Sequence, residues 1–367
     1  MNIAFYIDEM NFRGVANSTY QYSHFNELIL NNNSIIFYNK KNKSNKKEII
    51  DKFKKRFQVV GVNHFKEIET NEKRFKIDFI YTQKGGKKDQ WISYKVKTLV
   101  HYVYPQRLKE IHGHKYICVS EWHSKSFSNN KIPFLPYIVQ INKSKMNLKK
   151  KLNIKKNQIV FGCHGGESSF DLKFAQDTLL EVVKKRKDIV FLFLNIDKFC
   201  KHPRVIFLKG SSDEIYKKKF LNTCDAMIYG RSLGESFGLS CGEFAVQGKK
   251  IISYEYNRHK SHIYSLGKKN FEEYSSRKSL FHILDNYKKN NTINFDKDNK
   301  YLNCSPKKVM KIFKKVFLKD KLEIKLSPLD YFINYLSFTK MYYQYIKHKI
   351  YNHYYRFFES KFINYKH

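Results

Sequence analysis

Gly234-Glu235-Ser236-Phe237-Gly238-Leu239, followed by Glu243 and then by Gly248 ahead of Ile251-Ile252-Ser253, is the stretch on which the reading of this chain turns. Two carboxylates eight positions apart mean little among 33 acidic residues; their setting gives them meaning. Glu235 lies in a turn flanked by glycines. Ser240 to Gln247 reads as a helix with Glu243 one to two turns in, Gly248 as its C-cap and Lys250 to Tyr254 as the next strand. Loop amides and a helix N-terminus then face the same point as Glu235, which suits a phosphate beside a polyhydroxyl group.

Outward from this stretch, short apolar runs alternate with helical patterns. Ile3 to Ile7 reads as a buried strand, Asp8 to Ala16 as a loop containing Gly14, and Asn17 or Ser18 as the cap of a helix running to about Leu30. Ser34 to Tyr38 is the next strand, and a basic helix, Lys46 to Phe57, leads to Gln58 to Val62. Strands follow near Phe79, at Leu99 to Val103 and at Lys115 to Val119. The pattern restarts at Gln158 to Gly162, with a helix at Ala175 to Lys185 and strands at Ile189 to Leu194, Val205 to Leu208, Ala226 to Tyr229 and Ile251 to Tyr254.

Such alternation predicts parallel, doubly wound sheets, an α/β class. The 367 residues suffice for two domains with separate cores. The expected organisation is an N-terminal Rossmann-like domain over 1–142, a Lys-rich linker over 143–157, a second Rossmann-like domain over 158–320 and a tail over 321–367. Ligands bind outside the carboxyl ends of the strands in such sheets, which is where Gly14, His101, Gly165 and Glu235 fall.

At these residues the chain resembles a known family. The Glu-x7-Glu spacing inside G-E-x-F-G-L is similar to the donor-site motif of the retaining GT-B glycosyltransferases, the large group that includes glycogen and sucrose synthases. Asn222-Thr223-Cys224-Asp225-Ala226-Met227 resembles the strand that precedes the motif in that family. Val160-Phe161-Gly162, followed by Gly165-Gly166, resembles the strand and turn that open its second domain. Asp78 to Tyr81, Leu99 to Tyr102 and Val119-Ser120 look like strand ends of its first domain.

The resemblance covers roughly residues 1–318 and is densest over 222–252. It implies the GT-B fold, in which two Rossmann-like domains face each other across a cleft. It also implies transfer of a sugar from a nucleotide-diphosphate sugar to a glycan or lipid-linked acceptor, with no further cofactor.

Residue by residue, the resemblance gives Glu243 the nucleotide ribose hydroxyls and Glu235 a sugar hydroxyl near the reacting carbon. The amides of Phe237, Gly238 and Leu239 would lie around the sugar and diphosphate. The family usually places an arginine after the glycine that opens its second domain; here that position is Cys163. Lys173 matches the family lysine that meets the diphosphate, and Arg231, with its bidentate fork, and then His164 stand as substitutes for the missing arginine. Gly14 sits in the first strand–helix loop, where the family's glycine loop approaches the diphosphate. His101 matches the family histidine that reaches the donor sugar. A His at a strand end is otherwise a structural residue, and Lys173 otherwise a surface lysine on a first helical turn. No DxD pair stands at a strand end, so no metal is expected.

Composition bounds the rest. Seventy Lys and Arg against 33 acids give a formal charge of +37, which by itself suggests nucleic acid. Only five alanines occur while Lys, Ile, Tyr and Phe abound, a joint bias of AT-rich coding sequence, so the lysines read chiefly as solvated faces and no specific nucleic-acid partner is expected. The six cysteines show no CxxC or metal-ligand spacing and read as reduced thiols of a cytosolic protein. No run approaches 18 apolar residues.

The tail holds 14 aromatics and eight Lys or Arg against three acids, with Phe338, Tyr342, Ile346, Ile350, Tyr354 and Phe357 at helical spacing. Two readings stand for it: a helix packed on the N-terminal domain, or a basic aromatic helix on the inner face of a membrane. Two functional readings stand as well. One is a cytoplasmic retaining transferase of surface polysaccharide or glycolipid synthesis. The other is a degenerate GT-B protein that binds a nucleotide sugar or glycan without transfer, supported by Cys163.

Overall fold

The computed structural model describes residues 1–140, 144–267, 269, 271–289, 298–319 and 323–360. The chain divides into two compact units, Met1–Gln140 with Leu302–Phe338 and Ile141–Tyr301 with Thr339–His367. In the first, β1 (Asn2–Ile7), β2 (Asn33–Asn39), β3 (Gln58–Val62), β4 (Phe79–Lys84), β5 (Lys97–Tyr102) and β6 (Lys115–Cys118) form one parallel sheet in the order β3-β2-β1-β4-β5-β6. β1 is an unbroken apolar run because both its faces are covered. Ala4 and Tyr6 join Phe37, Phe65 and Ile80 on one side. Phe5 on the other side meets Tyr81 at 5.2 Å and Phe313 at 6.4 Å. The helix Gly14–Leu30 begins at Gly14, earlier than the expected cap at Asn17 or Ser18, with Arg13 as an N-cap that makes no side-chain bond.

In the second unit, β7 (Ile159–His164), β8 (Ile189–Leu194), β9 (Val205–Leu208), β10 (Ala226–Tyr229), β11 (Gly234–Glu235), β12 (Ile251–Tyr254), β13 (His259–Lys260) and β14 (Phe271–Tyr274) follow in chain order. Six of them make a parallel sheet in the order β14-β12-β10-β7-β8-β9, while β11 and β13 pair separately. Counted within its own unit, each large sheet has the strand order 3-2-1-4-5-6 of the dinucleotide-binding folds. The direction of winding reverses between β1 and β4 in the first unit and between β7 and β10 in the second.

Gly162 of β7 lies tight against its neighbours. A Cβ there would sit 2.3 Å from the Cys224 sulfur and 3.1 Å from the Phe244 ring. Gly162→Ala is therefore expected to lower stability by about 1–3 kcal/mol. Urea unfolding should show the midpoint falling with an unchanged slope.

Two expected boundaries differ from the observed ones. Residues 144–157 are not a separate linker: Ser144 O accepts from Asn222 Nδ2 at 2.6 Å, and Leu148 N donates to Thr223 Oγ1 at 2.8 Å, which ties the segment to the second unit. Residue 143 lies outside the described residues. Nor is the tail one body. The helix Pro328–Tyr354 has its residues up to Phe338 in the first unit and those from Thr339 onward in the second. Asn334 Nδ2 donates to Phe127 O at 2.7 Å, and Phe338 stacks edge-on to Phe127 at 5.1 Å. Further along, Tyr351 Oη accepts from Arg277 N at 2.7 Å, and Tyr355 Oη donates to Asp177 at 2.6 Å. Residues 321, 322 and 361–367 of the expected tail lie outside the described residues.

Candidate functional site

In a parallel sheet of this order, ligands settle outside the carboxyl ends of the strands where the winding reverses. In the second unit that point is the end of β7, at His164, and the end of β10, at Tyr229. Both glutamates of the motif are held there.

Glu243 lies in the helix Leu239–Ala245 and is 7% exposed. Lys217 Nζ donates to its Oε1 at 2.6 Å, and His164 Nε2 lies 3.0 Å from its Oε2. Burial alone would raise the carboxyl pKa, but the Lys217 ammonium and His164 more than offset this and hold it at about 2. The same pairing raises Lys217 against the pull of burial, with Glu214 adding to it at 3.9 Å. Glu243 is thus a fixed anion.

Glu235 ends the short strand β11 and keeps 20% side-chain exposure. Its Oε1 accepts from Tyr229 Oη at 2.9 Å and lies 3.3 Å from Arg231 Nη1. The backbone beneath it is fixed by glycines with cause. Gly234 has φ +73°, and a Cβ there would sit 2.1 Å from the His259 carbonyl oxygen. Gly238 has φ +85°, and its Cβ would meet His262 at 2.8 Å and the Tyr301 hydroxyl at 2.9 Å. Asn257 Nδ2 donates to Arg231 O at 2.7 Å, and Ser232 donates to Asp171 through both N and Oγ, so the turn is braced from outside. Phe237 is buried against Tyr301, whose hydroxyl donates to Phe237 O at 2.6 Å. The helix begins at Leu239 and ends at Ala245, shorter than the expected Ser240 to Gln247, with Gly248 at φ +70° beyond it.

The structure thus gathers Arg231, Glu235, Phe237, Gly238 and Leu239 around one turn, and His164 with Glu243 beside it. Other expected residues stand differently. Cys163, in the family arginine's place, is 1% exposed, and burial pushes its thiol far above the usual range, with Glu235 adding to the effect. His164 is committed to Glu243, where a diphosphate contact had been expected. Lys173 opens the helix Lys173–Lys185, as a first-turn residue should, but its ammonium is 2.5 Å from Asp177 Oδ1, whose other oxygen takes the Tyr355 hydroxyl.

His101, in the first unit, needs a correction. Its ring is 0% exposed, enclosed by Tyr22, Tyr81, Tyr137 and Phe317 at 5.9–6.3 Å, with Tyr81 Oη 2.7 Å from Nδ1. Burial pushes its pKa down to about 3. A ring so enclosed is a neutral core residue and not a sugar contact. Gly14, also in the first unit, opens the helix Gly14–Leu30, and a Cβ there would meet only Tyr137 at an ordinary 3.8 Å.

Sequence reasoning missed Lys217 and Tyr229. Lys217 was hidden in the run Lys217-Lys218-Lys219, read as a solvated face. Its signal was helical spacing, since Phe220 and Leu221, three and four residues on, are buried. Tyr229 reads in the sequence as a strand residue alone; its signal is a hydroxyl that needs a partner on burial.

No family model and no curated protein matches the chain. Solved structures do. A glycosyltransferase from Rickettsia africae ESF-5 superposes with a TM-score of 0.60 at 13% identity over 87% of this chain and 99% of its own. WaaG, a glycosyltransferase involved in lipopolysaccharide biosynthesis, gives 0.59 at 9% identity over 86% of this chain and 100% of its own. Anabaena HepE, in complex with UDP and glucose, gives 0.58 at 11% over 93% and 99%. The fold is that of the GT-B glycosyltransferases. At these identities the likeness is one of architecture, and the site residues of this chain rest on their own geometry.

Proposed function

We propose that the chain is a retaining glycosyltransferase moving a sugar from a nucleotide-diphosphate sugar to a glycan or lipid-linked acceptor in the synthesis of a surface polysaccharide or glycolipid. The observation that carries this is the pair of glutamates where the winding of the second sheet reverses, one fixed as a buried anion by Lys217 and His164, the other aimed by Tyr229 and Arg231. The fold supports it, as do neighbours crystallised with UDP and glucose.

In this reading Glu243 accepts from the ribose hydroxyls, a charged bond contributing roughly 1.5–3 kcal/mol. Glu235 holds a sugar hydroxyl beside the reacting carbon. Arg231 and Lys173 turn to the diphosphate, so the transfer runs without a metal. The acceptor oxygen attacks from the leaving-group face, the bond from the anomeric carbon to the diphosphate breaks, and the departing diphosphate takes the acceptor proton. The protein supplies position and charge, not a nucleophile.

Thermal-shift titration with UDP-, GDP-, ADP-, CMP- and dTDP-sugars tests this. One nucleotide class should raise the melting temperature with concentration, by an amount equivalent to about 2.7 kcal/mol at a hundredfold excess over Kd. The second reading, binding without transfer, draws on Cys163 and on a Glu243 whose oxygens already meet Lys217 and His164. A shift without turnover on any acceptor favours it. No shift with any donor at millimolar concentration counts against both.

A further inference from the structure

The helix Pro328–Tyr354 carries more exposed apolar surface than its packing explains. Its inward side is made by Asp330, Asn334 and Phe338, then Tyr351 and, just past its end, Tyr355. The opposite side presents Leu329, Phe332, Leu336, Tyr343, Ile346 and Ile350, with Phe332 57%, Tyr343 55% and Ile350 65% exposed. These residues follow alternating steps of three and four, through the exposed Thr339, and the seam continues to His353 and Phe357. The expectation of one stripe containing both Phe338 and Ile350 is corrected on this point, since Phe338 turns inward onto Phe127 and Arg107.

A seam of this period fits either another helix or an apolar phase. Its flanks decide between them. Lys340 and Lys347 border it on one side, Lys349 and Arg356 on the other, and no carboxylate occurs between Asp330 and Glu359. In a pair of copies, parallel or antiparallel, these flanks would set lysine against lysine, between chains each carrying a formal +37. The occupant is therefore negative. The seam and its margins also carry tyrosines where a dry helix–helix contact wants aliphatic side chains. Tyr335, Tyr342, Tyr343 and Tyr354 are exposed, and tyrosine concentrates where a ring enters hydrocarbon and its hydroxyl stays wet. Among the described residues no helix is long and apolar enough to cross a membrane, so the helix would lie along the surface.

We infer that residues 329–357 form a docking face for an anionic lipid surface, with the seam in the headgroup–acyl boundary and the flanking cations at the headgroups. The inference does not depend on the donor chemistry proposed above.

The test is flotation of the full chain with vesicles of phosphatidylcholine alone or with about a third phosphatidylglycerol. Binding to the mixed vesicles should be at least about tenfold stronger than to neutral ones and should fall as salt rises. F332E/Y343E/I350E changes only exposed positions and should lose binding about tenfold or more with its melting temperature kept. K340Q/K347Q/K349Q, which leaves the seam intact, should lose most of the preference for phosphatidylglycerol and covers the case in which the first variant fails to fold. Equal flotation of wild type and a folded seam variant would overturn the inference. So would equal binding to neutral and anionic vesicles, or a concentration-dependent dimer of the wild type that the seam variant abolishes.

Discussion

Glu243→Ala should destabilise the second unit by about 3 kcal/mol or more. Removing one member of a buried ion pair leaves the other without its charge partner, which costs roughly 3–5 kcal/mol. Lys217 is that remaining member, with 21% side-chain exposure and, among the described residues, Glu214 at 3.9 Å to turn to. Glu214 places the expected effect at the lower end of the range. The paired replacement Glu243→Leu with Lys217→Met should recover most of the loss, because a buried pair replaced by apolar groups of similar size is often neutral.

Denaturant unfolding of both variants checks this, and a single substitution costing less than about 1 kcal/mol would contradict the buried-pair account. The same pair sets a pH dependence. A carboxyl held at about 2 against an ordinary 4.5 stabilises the folded state fully above the ordinary value, and that stabilisation is lost as pH falls from there toward 2. The acid limb of a stability profile should therefore flatten in the double variant. Donor binding by Glu243→Ala must be measured well below its own melting transition, since a fall in affinity there would otherwise mix lost ribose contact with lost fold.

Glu235→Gln should behave in the opposite way, sparing the fold and depressing turnover. Its side chain is 20% exposed, and an amide oxygen can keep the bond from Tyr229. In the mechanism proposed above, what disappears is the negative charge beside the carbon at which positive charge develops. Loss of one preorganised electrostatic contact costs about 10²–10³-fold in kcat. The donor KM should change far less, and kcat and kcat/KM should fall together, the sign of an interaction made mainly in the transition state. An unchanged kcat would remove Glu235 from the reaction, while a rise in KM alone would reassign it to ground-state binding.

The architecture was legible because fully buried parallel strands leave little ambiguity. Ile189–Leu194, Val205–Leu208, Ala226–Tyr229 and Ile251–Tyr254 run as apolar blocks between helical stretches, and their ends fall where the sequence puts them. β14 was not legible, since Phe271-Glu272-Glu273-Tyr274 lies at the sheet edge and carries two acids. The turn at Glu235 was legible too, because positive φ at Gly234 and Gly238 leaves a mark in residue type.

Partners across the fold leave no such mark. Lys217 sits 26 residues before Glu243, and Asp177, which pairs with Lys173, also accepts from Tyr355, 178 residues away. His101 shows the complementary failure: its strand end is roofed by Phe317, which no local pattern around residue 101 announces.

The division of the chain has a consequence for its synthesis. The first sheet is finished when Cys118 leaves the ribosome, but the side of β1 that bears Phe5 is covered by Phe313, and Tyr81 and His101 by Phe317. Those residues emerge only after the intervening Ile141–Tyr301, 195 and 199 residues after Cys118. At roughly 5–20 residues per second this leaves a nascent aromatic surface open for on the order of ten seconds or more. In that interval the second unit is being made beside an incomplete first one. A chain released early, before residue 302, would carry that surface permanently and would be a substrate for chaperones or for aggregation.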